Sequence, residues 1–218
     1  MKSRIKKLLG VPLLVMFMNL GFILFAGEVY TNFSRLIPIV LLNVIISIDI
    51  VIRPTSAKRD EYRRSILLIS FLFLPIILFL PYQEFRIYSY QHLTPSIYNL
   101  TVITGTVLLF LGGNLLIISR IQLGKYGGPR IVIEESHQLI TNGVYRFIRH
   151  PMYLGFLFIF FGYSLALGSI FMTIAICIFF FFIFKNRIDL EEKMLISEFG
   201  NKYIDYMKRT SKLIPFLY

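Results

Sequence analysis

The chain has 218 residues, of which 56% are hydrophobic and only 16% are charged, and its mean hydropathy is +0.69. A soluble domain carries about 25% charged residues, so this composition excludes an ordinary soluble globular protein and indicates a protein with several membrane spans. The single cysteine, Cys177, excludes an intrachain disulfide and a cysteine metal cluster, and no metal site is expected.

Six apolar segments predict six transmembrane helices. The first follows a basic N-terminus and mimics a signal peptide, but it is long for one and lacks small residues at a cleavage position near Ala26. We therefore expect it to be a retained span. The six segments cover about 8–27, 36–52, 65–81, 97–119, 152–167 and 169–185.

The last two segments form either one very long helix or a hairpin, and the neighbouring charges decide between these alternatives. Two arginines precede the segment 152–185, and Lys185 and Arg187 follow it. Because basic flanks stay on the cytoplasmic side, the segment should cross the membrane twice, with Gly168-Ser169 as the turn.

The same rule accounts for the charge of the whole chain. Residues 1–7, 53–64, 120–150 and the end from 185 onward hold 21 of the 23 Lys and Arg residues. This distribution predicts that both termini are cytoplasmic, in the cell membrane of a prokaryote or the endoplasmic reticulum of a eukaryote. It also explains the net charge of +11 without a nucleic-acid partner.

The fold class predicted is therefore an all-α integral membrane protein with about six transmembrane helices, including a C-terminal helical hairpin, and a cytoplasmic pocket. Beyond the hairpin, an apolar stripe at helical spacing predicts a C-terminal amphipathic helix within residues 184–216. No repeat or linker interrupts the chain, so residues 1–218 are expected to form one membrane domain. The stripe consists of Leu195, Phe199, Tyr203 and Tyr206.

Two polar stretches are candidates for a functional site. In the first, His137, Tyr145, Arg149, His150 and Tyr153 cluster around Pro151, which should begin a helix. Backbone N–H groups at such a helix start favour an anion. The alternative is an interfacial belt, in which Tyr and Arg anchor the protein at the level of the lipid headgroups.

The second stretch contains Arg187, Asp189, Glu191 and Glu192 directly after the last apolar segment. On a continuing helix, Arg187 and Glu191 lie one turn apart, as an ordinary ion pair or as a clamp for a zwitterion. The hairpin should bring both stretches to one place. S-adenosylmethionine would suit such a pocket, although other zwitterions or nucleotides would suit it as well.

The residues HQLITNGVYRFIRHPMYLG (137–155) and RIDLEEKMLISEFGNKYIDYMKR (187–209) resemble the isoprenylcysteine carboxyl methyltransferase family and, more loosely, the phospholipid methyltransferases. The resemblance covers roughly residues 97–216, and residues 1–96 match only in kind. It implies an integral-membrane, S-adenosylmethionine-dependent carboxyl-O- or N-methyltransferase with a lipophilic or lipidated acceptor that enters from the membrane lipids.

The resemblance also implies roles for individual residues. Arg187 corresponds to the family's substrate-binding position, and Arg130 stands where the family has a Gln, which makes it a second candidate substrate contact. A carboxylate acceptor needs no base, whereas an amine or thiol acceptor would lose its proton to His150 or Glu192. The candidate catalytic residues are thus Arg187, His150 and Glu192. The implied cofactor-binding residues are His137, Gln138, Leu139, Ile140, Tyr145, His150, Pro151, Met152, Tyr153 and Glu191.

Three other functions are compatible with the sequence. One is a membrane-embedded, NADPH-dependent reductase of the sterol type. Another is a non-enzymatic protein that binds anionic lipids through its basic face. The third is a transporter, suggested only by the intramembrane Asp49, for which an ion pair with Arg53 at the membrane boundary is the simpler interpretation.

Overall fold

The computed structural model of the protein describes residues 2–54, 78–89, 93–127 and 138–214, and the secondary structure in these ranges is helical apart from one isolated bridge. Residues 78–84 are helical and continue into a π-helical turn, Phe85–Ser89. The α-helices are α1 (Lys2–Met18), α2 (Leu20–Phe25), α3 (Phe33–Ile52), α4 (Pro95–Leu123), α5 (Pro151–Ala166), α6 (Phe171–Phe199) and α7 (Asn201–Arg209).

Three helices in the described ranges are long and apolar enough to cross a membrane: α3, α6 and the segment Pro95–Tyr126, which contains α4. The apolar part of α1, Leu9–Met18, and α5 are shorter. The first predicted span is interrupted at Asn19, whose side chain donates to the Val15 carbonyl at 2.7 Å and to Asn43 of α3 at 3.1 Å. Most of the predicted span 65–81 lies outside the described residues.

The C-terminal hairpin has the turn that the sequence predicts. Helix α5 ends at Ala166, Gly168 adopts a φ of +77°, and α6 begins at Phe171. A carboxylate from an earlier element caps α6, because Glu84 accepts hydrogen bonds from the N–H groups of Ile170 at 2.9 Å and Phe171 at 3.0 Å. An anion at this position is stabilised by the unpaired N–H groups and by the helix dipole.

Helix α6 extends beyond the predicted apolar segment, which ends at residue 185, and continues without a break to Phe199. It stops because Gly200 adopts a φ of +54°, a conformation that glycine adopts readily. The predicted amphipathic helix is therefore divided between two elements. Leu195 and Phe199 belong to α6, whereas Tyr203 and Tyr206 belong to α7.

Helices α4 and α5 pack with their backbones in contact, because glycines face each other along the seam. A Cβ atom on Gly112 would lie 2.8 Å from the carbonyl oxygen of Gly155 and 2.7 Å from the Cβ of Phe158. Gly105 and Gly162 make a second close approach further along the same pair. Small residues allow such close packing of membrane helices. This seam fixes the position of α5, whose first turn contains the predicted site residues Pro151, Met152 and Tyr153.

The substitution Gly112→Ala should therefore destabilise the protein, because the added methyl group meets backbone atoms of α5 that cannot move independently. We expect a loss of about 1–3 kcal/mol, typical of overpacking, measured as a lower melting temperature in detergent. Gly10→Ala is the matched control, since a Cβ at Gly10 meets nothing within 4 Å. Equal melting temperatures for the two variants would contradict the close seam.

Candidate functional site

The hairpin brings the two polar stretches into direct contact. The hydroxyl of Tyr153, on the first turn of α5, donates to Oε2 of Glu191 on α6 at 2.9 Å. The Nε of Arg187, one turn earlier on α6, donates to the same hydroxyl at 2.8 Å. Tyr153 thus joins the predicted cofactor-binding carboxylate to the predicted substrate-binding guanidinium. The continuous helix that this arrangement requires is present.

A cavity of about 80 Å³ lies beside this hydrogen-bonded chain. It is enclosed by the loop before α5, the start of α5, the second half of α6, and α7. Eight of the ten residues predicted to bind the cofactor line it, namely Gln138, Leu139, Ile140, Tyr145, His150, Met152, Tyr153 and Glu191. The remaining two are Pro151, which is buried in the first turn of α5, and His137, which lies outside the described residues, as does Arg130.

The cavity has further lining residues that the sequence reasoning did not assign to the cofactor. They come from the end of α4 and the turn after it, from Arg149, from α6 and from α7. Three of those on α6 and α7, Leu195, Tyr203 and Tyr206, belong to the stripe at helical spacing, from which the sequence predicts an amphipathic helix and not a cavity wall. The further lining residues are Leu123, Tyr126, Arg149, Met194, Leu195, Tyr203 and Tyr206.

A larger, more open cavity of about 840 Å³ adjoins the first and shares Gln138, Leu139 and Tyr206 with it. Its remaining walls include the basic side chains Arg146, Lys202 and Arg209. Because both cavities share three residues, we call the smaller one the inner cavity and the larger one the outer basin.

Glu192 lies next to Glu191 in the sequence but has a different environment. It is 6% exposed and is absent from the described residues that line the inner cavity. Its Oε1 accepts a hydrogen bond from Nε of Arg149 at 2.8 Å and lies 3.1 Å from Nε2 of His150. Its Oε2 lies 3.5 Å from Nζ of Lys212. Glu192 therefore anchors three basic side chains.

The segment 210–214 runs alongside residues 147–150 and holds them in place. The N–H of Arg149 donates to the Ser211 carbonyl at 2.9 Å, and the N–H of His150 donates to the Lys212 carbonyl at 3.2 Å. The guanidinium of Arg149 also donates to the carbonyl oxygens of Met207 at 3.1 Å and of Thr210. Arg149, which was seen in the sequence only as part of a cluster, is thus the main tie between this segment and Glu192.

The expectation of free N–H groups at the start of α5 is wrong for His150 and Tyr153. The N–H of His150 donates to the Lys212 carbonyl at 3.2 Å, and the N–H of Tyr153 donates to the His150 carbonyl at 3.2 Å. An anion held only by the first turn of α5 is therefore not supported by these groups, and other donors around the inner cavity have to be considered.

Hydrogen bonds of two buried tyrosines fix the loop before α5. The Tyr145 hydroxyl donates to the Ser119 carbonyl of α4 at 3.3 Å, and the Tyr206 hydroxyl of α7 donates to the Tyr145 carbonyl at 2.6 Å. Burial raises the pKa of both tyrosines above its usual range, so both hydroxyls remain protonated donors. These bonds connect α4, the loop and α7.

A buried charge cluster supports the end of α4. Asp49 of α3 accepts hydrogen bonds from Arg53, one turn later, and from Arg120 of α4. Arg120 also donates to the Gly127 carbonyl, so the turn that carries Tyr126 is tied to both helices. The predicted ion pair between Asp49 and Arg53 is confirmed, and the additional contact with Arg120 gives Asp49 a structural role.

Part of the chain is similar to known methyltransferases. Residues 100–202 match the family model described as phospholipid methyltransferase. A probable protein-S-isoprenylcysteine O-methyltransferase of Oryza sativa subsp. indica is 39% identical over 88 residues, which cover 40% of this chain and 46% of that protein. The protein-S-isoprenylcysteine O-methyltransferase of Saccharomyces cerevisiae is 33% identical over 141 residues, covering 62% of this chain and 56% of that protein. The chain thus spans about half the length of the curated relatives it matches.

Among solved structures, the fold is similar to that of the eukaryotic intramembrane Ras methyltransferase ICMT, isoprenylcysteine carboxyl methyltransferase. The TM-score is 0.61 at 21% identity, and the match covers 90% of this chain and 68% of that one. The chain therefore shares the helical fold of this intramembrane protein. The resemblance is therefore confirmed for residues 100–202, which are similar to the isoprenylcysteine carboxyl methyltransferase and phospholipid methyltransferase family.

The different environments of the two neighbouring glutamates predict different effects of the same substitution. Glu192→Gln should destabilise the protein by about 3 kcal/mol, because it leaves the buried Arg149 without its carboxylate. Glu191→Gln should change the stability little, since an amide oxygen still accepts the hydrogen bond from Tyr153. Melting temperatures of both variants in detergent check this expectation. A similar decrease for both, or a larger one for Glu191→Gln, would contradict the assignment.

Proposed function

We propose that the protein is an integral-membrane, S-adenosylmethionine-dependent carboxyl-O-methyltransferase whose acceptor is an isoprenylated cysteine or a similar lipophilic carboxylate. The observation that carries the proposal is the Tyr153 hydroxyl, which bridges Glu191 and Arg187 beside the inner cavity. The names of the curated relatives, which are isoprenylcysteine O-methyltransferases, support the choice of acceptor. Of the two residues that Tyr153 connects, we assign Glu191 to the methyl donor and Arg187 to the acceptor.

The residues around the two cavities fit S-adenosylmethionine. The carboxylate of Glu191 offers a partner for the ammonium group of an amino acid in a cavity that has room for only a small polar group. Leu139, which lines both cavities, and Ile140 offer apolar contacts for an adenine. The outer basin provides the volume for the nucleoside. When bound, S-adenosylmethionine supplies a methyl group activated by a sulfonium, to which the aromatic faces of nearby tyrosines are attracted.

Arg187 would hold the acceptor carboxylate through its guanidinium, at the end of the bridge away from Glu191. An ionised carboxylate has no proton to lose, so the protein mainly contributes alignment and exclusion of water. For an amine or thiol acceptor, His150 is the base that lines the cavity, and Glu192 would orient it rather than act directly. His137 and Arg130 stay candidate contacts for cofactor and substrate through the family resemblance.

We further propose six spans in one membrane domain, with both termini and the two cavities on the cytoplasmic side. The distribution of Lys and Arg supports this topology, as does the hairpin, which returns α6 to the side where α5 begins. The acceptor would enter sideways from the lipid, and the water-soluble cofactor would enter from the cytoplasm. The membrane is then the cell membrane of a prokaryote or the endoplasmic reticulum of a eukaryote.

The enzymatic proposal predicts that Glu191→Gln and His150→Ala each reduce methyl transfer by at least about a hundredfold, because each removes a group that lines the inner cavity. The assay measures transfer of a labelled methyl group from S-adenosylmethionine to a farnesylated cysteine derivative, and in parallel to a total lipid extract. Glu198→Gln is the matched control, since this exposed glutamate of α6 lies away from the cavity.

Full activity in both variants would contradict the site. Binding of NADPH instead of S-adenosylmethionine to the purified protein would favour a reductase. If Glu191→Gln had no effect on a protein that binds anionic lipid vesicles, this result would favour a lipid-binding protein.

The topology predicts opposite accessibility at the two ends of the apolar part of α6, which covers about residues 169–185. In a Cys177→Ser background, cysteine at the exposed positions Ile170 and Asn186 should react with a membrane-impermeant maleimide from opposite sides. Labelling of right-side-out and inside-out vesicles measures this, with the labelled band quantified for each variant. Labelling of both positions from the same side would contradict the hairpin.

A further inference from the structure

Tyr203 of α7 is the feature on which this inference rests. Its residue is 1% exposed, yet among the described residues its hydroxyl has no hydrogen-bond partner. Three other tyrosine hydroxyls around the inner cavity donate a hydrogen bond to an oxygen, namely those of Tyr145, Tyr153 and Tyr206. Buried polar groups are nearly always hydrogen-bonded, and an unsatisfied one is costly. The Tyr203 hydroxyl therefore needs a partner that the described residues do not provide.

The position of Tyr203 indicates what that partner is. Its side chain lines the same inner cavity as Glu191, His150 and Tyr153. Burial, together with the nearby negative charge of Glu192, raises the pKa of Tyr203 above its usual range. The hydroxyl therefore stays protonated and acts as a hydrogen-bond donor. Its missing partner is an acceptor that enters the cavity with a ligand.

Glu191, on the same cavity, is suited to the ammonium group of an amino acid. In an amino acid the ammonium and carboxylate groups share one carbon atom, so a carboxylate must follow the ammonium group into this small space. The N–H groups of His150 and Tyr153 at the start of α5 are already used, as described above, so they do not serve such a carboxylate. The cationic Arg149, which also lines the cavity, makes the surroundings favourable for an anion.

We infer that the Tyr203 hydroxyl donates a hydrogen bond to the carboxylate of the methyl donor's amino-acid group, and that Tyr203 and Glu191 together recognise that group as a zwitterion. This inference rests on the proposed function, because it presupposes that S-adenosylmethionine binds. Tyr203 thereby selects for the intact amino-acid end of the donor. Tyr206, one turn later on α7, has its hydroxyl committed to the Tyr145 carbonyl at 2.6 Å and does not share this role.

The test compares the wild type with Tyr203→Phe, which keeps the ring and its packing but removes the hydroxyl. Isothermal titration calorimetry in detergent measures the affinity for S-adenosylmethionine and for decarboxylated S-adenosylmethionine, which lacks only the carboxylate. We expect Tyr203→Phe to bind S-adenosylmethionine roughly ten- to hundredfold more weakly, the loss typical of a hydrogen bond to a charged group. We expect its affinity for the decarboxylated compound to equal that of the wild type.

The melting temperature of the protein without ligand provides a second readout. Tyr203→Phe removes an unsatisfied buried hydroxyl, so its melting temperature should equal or exceed that of the wild type. Tyr163→Phe is the matched control, because its buried hydroxyl donates to the Leu78 carbonyl at 3.0 Å, away from the cavity. This control should melt at a lower temperature and bind both compounds as the wild type does.

The outcomes separate the inference from the proposed function. A wild type that binds neither compound would overturn both. A wild type that binds S-adenosylmethionine, with a Tyr203→Phe variant of equal affinity, would overturn only the inference. Equal weakening for both compounds would show that the hydroxyl contacts another part of the donor and would overturn the assignment to the carboxylate. A lower melting temperature of Tyr203→Phe without ligand would show a partner within the protein and would also overturn it.

Discussion

The two hydrogen bonds of the Tyr153 hydroxyl connect the two arms of the C-terminal hairpin at the point where the site lies. The hydroxyl accepts a hydrogen bond from Arg187 and donates one to Glu191, and these two residues are one turn apart on α6. Both bonds depend on a fixed distance between α5 and α6 and on an uninterrupted α6. The glycine seam with α4 fixes α5, and Glu84 fixes the start of α6. Elements far from the site thus determine its geometry.

The adjacent glutamates Glu191 and Glu192 have different surroundings although they are neighbours on one helix. Successive residues on a helix point about 100° apart, so two neighbours cannot face the same surroundings. Glu191 faces the inner cavity, whereas Glu192 faces Arg149, His150 and Lys212. The carboxylate of Glu192 binds basic side chains of two other segments, whereas Glu191 lines the cavity. A cluster of charges at a membrane boundary can serve both purposes at once.

Much of the lining of the inner cavity could be predicted because its residues lie in two short contiguous stretches with a strong family pattern. The hairpin turn at Gly168 and the continuation of α6 past Arg187 followed from charge placement and helical spacing. The role of Arg149 could not be predicted, since its partners at Met207 and Thr210 are backbone carbonyls with no sequence signature. The capping of α6 by Glu84 joins residues more than eighty positions apart, and a single sequence does not reveal such a pairing.

The break of the C-terminal stripe at Gly200 was missed for a different reason. The apolar spacing of Leu195, Phe199, Tyr203 and Tyr206 is regular enough to continue across the glycine as if one helix were present. The positive φ of Gly200 instead redirects the chain, so that α7 closes the cavity from another side. The hydroxyls of Tyr203 and Tyr206 acquire separate environments as a result, which spacing along the sequence does not encode.

Helix α6 is held by carboxylates near both of its ends. Glu84 binds its first N–H groups, and Glu192, in its last third, is fixed by basic side chains from two other segments. A helix of this length, 29 residues, rises about 43 Å, so the two anchors lie far apart along one stiff element. Sliding or rotation of α6 would break one anchor or the other. α6 therefore keeps a fixed register along its axis, and with it the positions of Glu191 and Leu195 in the cavity wall.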